Sequence, residues 1–128
     1  MLLLPILAAA APAGPDTSTA IFSPGIRSLA VNIEGAFLAP PVLTLGGDSR
    51  LVIGFDVMGE ERQYLRYSIL HCDADWSLGE LVDSEVFDGF NYADIEDYAF
   101  SRLTTAHYVH YTIHLPNSDF QFKISGNY

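Results

Sequence analysis

His71, Cys72, Asp73, Asp75 and Trp76 fall within the seven residues LHCDADW, 70 to 76. An imidazole beside a thiol suggests zinc ligation or a Cys–His nucleophile pair. Two carboxylates one residue apart suggest the opening of a calcium loop. Each chemistry needs its groups to converge on one point. The stretch from Gln63 to Cys72 alternates as a strand does, so adjacent side chains leave it on opposite faces. His71 and Cys72 therefore cannot easily grip one ion or share one proton. Cys72 is also the single cysteine, which excludes an internal disulfide and any multi-cysteine zinc site. Alternation instead makes Cys72 a small core residue and His71 a strand-end residue bonded to a neighbouring loop.

Asp73-x-Asp75 lacks the rest of a calcium-loop pattern. Position 77 brings no third ligand, position 78 is not glycine, and Ser84 stands where the closing glutamate belongs. Asp73 and Asp75 remain the calcium candidates, in an irregular site that would also draw on Asp83, Glu85 or Asp88. The competing role for these aspartates is to accept backbone N–H bonds within turns. His107, His110 and His114 do not converge either: His110 and His114 share a strand face at a spacing of about 13 Å. No nucleophile elbow, metalloprotease helix motif or phosphate-binding loop occurs. Nothing selects a pair of carboxylates for glycosidase chemistry. No catalytic residue and no cofactor is expected.

The elements around these residues read as strands. IRSLAVNI (26–33), RLVIGFDVMG (50–59), Gln63–Cys72, Tyr98–Arg102, HYVHYTIHL (107–115) and Phe120–Ile124 carry period-two patterns. Val42–Leu45 is a further short strand between Pro40-Pro41 and Gly46-Gly47. The strands over 50–59 and 63–72 are expected to pair as a hairpin across a polar turn. Between them and the later strands lies Asp73 to Asp97, 25 residues with nine acids and no base. It carries Trp76, Phe87, Phe90 and Tyr92, so it is expected to be a long ordered loop, with brief pairing at 85–87 and a helical turn at 93–97. These four aromatics are the candidate anchors for a partner. About seven short strands with frequent turns predict an all-β fold, an antiparallel, immunoglobulin-like β-sandwich over 26–128 with one long acidic and aromatic loop.

The 128 residues suit one domain, and 49% apolar content is enough to bury a core. A formal net charge of −10 repels phosphate backbones and anionic lipids, so nucleic-acid binding is not expected. The start, MLLLPILAAAAPAG, pairs a short apolar run with the small-residue site Ala11-Pro12-Ala13, though it lacks a basic residue. Residues 1–13 are read as a secretory signal peptide and 14–25 as a flexible leader. The run is too short to span a bilayer. Gly126-Asn127-Tyr128 comes where another strand could begin, so the chain is expected to be the first part of a longer protein.

Six pieces then stand in a fixed order: HCDADW (71–76), S-E-x-x-D-G-F-N (84–91), D-Y-x-F-S (97–101), H-Y (110–111), L-P-N (115–117) and S-G-N-Y (125–128). Together they resemble the first domain of the type IX secretion system plug protein family of Bacteroidota, over about Ile26 to Tyr128. The resemblance implies a β-rich, multi-domain protein of the periplasm, peripheral to the outer membrane. Its implied partner is the outer-membrane type IX translocon barrel, whose periplasmic side it would plug. The resemblance brings no catalytic residue, small-molecule substrate or cofactor. The alternative reading is a secreted β-sandwich binding module for calcium or carbohydrate.

Overall fold

A computed structural model describes residues 2–3, 19–102 and 105–128. The predicted signal peptide and the first part of the leader lie outside the described residues, except for Leu2–Leu3, which form the short strand β1.

The main sheet is built from β2 (Ile26–Ile33), β3 (Leu51–Met58), β8 (Tyr108–Leu115) and β7 (Asp97–Phe100), in the antiparallel order β2-β3-β8-β7. Alternation explains its two faces. Leu51, Ile53, Phe55 and Val57 of β3 are buried and sit opposite Leu115, Ile113, Tyr111 and Val109 of β8. A period of two keeps every one of these on the same side, and the register brings apolar partners face to face. Tyr111 is fully buried, with its ring 5.5 Å from Phe55. Its hydroxyl accepts from the Gln63 amide at 2.7 Å and donates to the Gln63 carbonyl at 3.1 Å, so the buried polar tip is satisfied. β2 follows β3 with a bulge between Arg27 and Ala30, where Ser28 takes φ 58°.

Three short pairings lie outside the main sheet. β4 (Arg66–Ser68) pairs with β6 (Tyr92–Asp94), and β5 (Phe87–Gly89) pairs with β9 (Phe120–Phe122), both antiparallel. β10 (Gly126–Asn127) pairs with β1 in parallel. Ile69, Val86, Phe87, Ile95, Phe120 and Tyr128 from this second layer join the apolar face of the main sheet in one core. The chain is thus nearly all β and antiparallel in its main pairings, a sandwich-like arrangement.

Four local expectations are corrected. The hairpin between 50–59 and 63–72 does not form, because β2 and β8 occupy both edges of β3. Gly59, at φ 133°, turns the chain away, and the Gln63 backbone is bonded to the Tyr111 hydroxyl. Of 63–72 only Arg66–Ser68 is strand, in the other layer. Val42–Leu45 forms no strand: only Leu43 makes an isolated bridge, and Leu43 alone is buried there. The helical turn is α1 (Asp83–Val86), not 93–97. There the Glu85 carboxylate accepts the Val82 amide at 3.1 Å, which closes the first turn. Residues 93–97 instead enter β6 and β7. The acidic stretch is therefore not one long loop but a chain of short elements.

Candidate functional site

The residues of LHCDADW are engaged with the end of the chain. The Cys72 amide donates to the Asn127 carbonyl at 2.6 Å, and the Asn127 amide returns to the Cys72 carbonyl at 3.4 Å. Cys72 also bridges Leu78 on its other side. The Asn127 side-chain amide donates to the carbonyls of Asp73 and Ala74, each at 3.2 Å. One buried asparagine thus holds the turn after Cys72 with four bonds. Asp75 accepts the Ser77 amide at 3.0 Å and the Ser77 hydroxyl at 2.6 Å, a side-chain-closed turn. These bonds hold the Asp75 carboxyl below its usual range. The tight turn puts Trp76 at φ 66°.

His71 packs edge-on against Tyr128, ring centres 5.0 Å apart, with its Nε2 3.5 Å from the Ser125 carbonyl. A side chain at Gly126 would run into the His71 ring, so the approach requires glycine there. Tyr128 donates to the Ile124 carbonyl at 2.7 Å, and burial pushes its hydroxyl pKa up to about 12. Burial, followed by the charges of Asp73 and Asp75, pushes the Cys72 thiol up as well. A raised thiol pKa is the opposite of what a nucleophile needs.

The other ordered pieces are equally structural. Gly89, at φ 104°, lies so close to the Asp119 carbonyl that any Cβ would collide with it. Asn117 donates to the Tyr67 hydroxyl at 3.1 Å and the His114 carbonyl at 2.9 Å, while its side-chain oxygen accepts the Asp119 amide at 2.8 Å. Pro116 before it follows a cis peptide bond. His110 lies 2.6 Å from the Asp56 carboxylate on the outer face of the main sheet.

The calcium candidates do not assemble into a cage. Among the described residues, no group of three or more His, Cys, Asp or Glu side chains comes together to hold a metal. Asp75 is committed to Ser77, Glu85 to Val82, and Asp88 lies 3.8 Å from the Lys123 ammonium. His107, His110 and His114 point to three different carboxylates, Glu60, Asp56 and Asp97.

The four candidate anchors separate. Phe87 is a core residue whose ring lies tilted 4.9 Å from that of Phe120, and it offers a partner nothing. Its place on β5 decides this, since the residues beside it there, Asp88 and Gly89, are exposed. Trp76 is half-buried in its turn. Phe90 and Tyr92 are exposed and adjacent, ring centres 6.3 Å apart. Arg66 lies over Tyr92 at 5.0 Å and bonds Asp94 at 3.1 Å, extending this patch. Sequence reading missed a second cluster, in which the Arg62 guanidinium lies 4.7 Å from the Tyr64 ring and 4.2 Å from the Tyr98 ring. Those residues come from a turn and an edge strand far apart in sequence.

Comparison with known proteins agrees with the ordered pieces. Residues 26–128 match the family model described as the type 9 secretion system plug protein first domain. A crystal structure of a hypothetical protein from Parabacteroides merdae is similar over 81% of this chain, with 38% identity and a TM-score of 0.79. The match takes in 26% of that protein, so the present chain spans about a quarter of its relative's length. No curated protein matches. A match over 26–128, in which every quoted piece has a definite structural place, shows that this chain belongs to the family of type 9 secretion system plug protein first domains.

Proposed function

We propose that this domain is a non-enzymatic, periplasmic part of the type IX secretion machinery, within a longer protein that plugs the periplasmic side of the outer-membrane translocon barrel. Family membership ties the chain to type IX secretion. The observation that carries the reading is that match over 26–128, together with the structural use of the residues that looked catalytic. A plug needs stiffness and a contact surface more than a reactive centre. The double-layered core and the bonded end of the chain supply the first. Phe90, Tyr92 and the half-buried Trp76 supply exposed aromatic contact on an acidic stretch. Among the described residues no helix is long and apolar enough to cross a membrane.

The test is recovery of the longer protein with the translocon barrel from detergent-solubilised membranes. The longer protein should co-purify, and Phe90→Ser with Tyr92→Ser should reduce its yield. Absence of the protein from preparations that retain other subunits overturns the reading.

A further inference from the structure

The two edges of the main sheet are finished differently. β2 carries a bulge between Arg27 and Ala30, with Ser28 in the left-handed region, and such irregularity discourages further pairing. β7 carries no bulge, proline or lysine, and it pairs with β8 alone. All of its residues are exposed. Its ladder leaves an orderly set of main-chain groups outside. The Ser101 amide donates to the Tyr108 carbonyl at 2.9 Å, so the main-chain groups of Ala99 and Asp97, two and four residues back, also face β8. Those of Tyr98 and Phe100 therefore face away from the sheet. Among the described residues no strand covers them.

The residues along this edge are complementary to themselves. Lay β7 antiparallel against a second copy, with Ala99 on a two-fold axis. Tyr98 then meets Phe100 of the second copy, and the main-chain groups that bond are those left free. Asp97 meets Ser101 of the second copy, a carboxylate across from a hydroxyl. Continued past the strand ends, the same register sets Glu96 against Arg102 of the second copy, twice. Glu96 and Arg102 are exposed, and neither has an ion-pair partner among the described residues. On an extended strand they lie about 20 Å from each other within one chain, too far to pair there. The aromatic rows join as well. Phe55, Tyr111 and Tyr98 stand in one row across β3, β8 and β7, with ring centres 5.5 and 6.4 Å apart. Phe100 of the second copy prolongs that row.

We propose that β7 is a self-association edge, on which two copies of this chain pair antiparallel about Ala99 and join their main sheets into one, locked by two Glu96–Arg102 ion pairs. Charge complementarity selects a second copy as the occupant, because one strand sequence supplies both members of both pairs. The contact is small, so the association is weak and depends on concentration. The proposal concerns contacts between copies and does not rest on the secretion reading.

Sedimentation velocity of the 128-residue chain over a concentration series tests it. The sedimentation coefficient should rise from monomer to dimer. Amide exchange at Tyr98 and Phe100 should slow with it, while Ala99, already bonded to β8, stays protected throughout. Glu96→Lys sets lysine against arginine, and Arg102→Glu sets two glutamates against each other, so each variant alone should remain monomeric. Mixed in equal amounts the two should associate again, because every facing pair is then opposite in charge. Net charge cannot mimic that rescue, since the mixed dimer is more negative than the Glu96→Lys dimer. As a control on folding, both substitutions fall on exposed side chains and should leave the Tm of the monomer unchanged. A chain that is monomeric throughout the series overturns the proposal. Association that both single variants retain overturns it and assigns dimerisation to another surface, and a mixture that stays monomeric overturns the register. Slow exchange at Tyr98 and Phe100 in the dilute monomer also overturns it, because another segment of the same chain would then cover the edge.

Discussion

The main sheet and the acidic stretch from Asp73 to Asp97 hold their shape by different means. In the sheet, β3 and β8 face each other over eight residue pairs, and burial follows alternation without a break along β8. Stability there is spread over a large apolar face. The acidic stretch has only three-residue strands and one four-residue helix before β7. It is held at single points: Asn127 on the Asp73 turn, Gly89 against Asp119, and Tyr128 against His71. Regular structure makes residues interchangeable by class. Point contacts make them specific by identity.

This contrast can be broken first at the sheet. Tyr111→Ala removes a fully buried ring and orphans the Gln63 amide, and it should cost about 4 kcal/mol, the usual size for a buried aromatic. Chemical denaturation measures it; a loss no larger than that of a surface substitution would mean the sheet is not the main store of stability. Gly89→Ala comes next. The left-handed φ and the collision with Asp119 together should cost about 3 kcal/mol, although only one methyl is added. A neutral result would show that the β5–β9 pairing can shift, and the idea of point contacts would weaken.

Asn127→Ala should cost about 2 kcal/mol, because two partly buried carbonyls lose their donors. Amide exchange should show the loss at the Asp73–Ser77 turn and not in β3 or β8. Exchange rising equally in both regions would merge them into one cooperative unit.

Two pH effects are smaller. Tyr128 has a folded pKa raised from 10.0 to about 12 by burial. A raised acid pKa gives stability that is complete below the unfolded value and is lost as pH rises through the folded one. Tm should therefore fall across that alkaline window, and Tyr128→Phe should make the fall shallower. An unchanged slope would remove Tyr128 from the account. Glu34, bonded first by Arg50, and Asp75, bonded first by Ser77, are both held below the usual carboxylate range. Their contribution is present above that range and disappears as acid protonates them. The Tm differences of Glu34→Gln and Asp75→Asn from the parent chain should shrink to nothing in acid. A difference that persists in acid would point to packing instead of charge.

The comparison also shows where sequence reading carries. β2, β3 and β8 lie within a residue of their expected bounds, since a period of two needs no knowledge of the partner strand. His71 and Cys72 lie outside strand β4, so their surroundings are set by Tyr128 and Asn127 and not by alternation. The hairpin expected after β3 failed because alternation does not say which strand takes the free edge. Phe87 as an anchor failed because its burial depends on Phe120, 33 positions away.

What the sequence determined alone was local: which residues alternate, that no metal pattern is complete, and that six short pieces stand in a recognisable order. Tertiary structure decided what those pieces are for. The donors of Asn127 meet the carbonyls of Asp73 and Ala74 only when the end of the chain folds back beside Cys72. Such a contact carries no periodicity along the chain, because both partners are set by the path of the backbone between them. For the same reason, the acids and aromatics of LHCDADW read as chemistry in one dimension and as a joint in three.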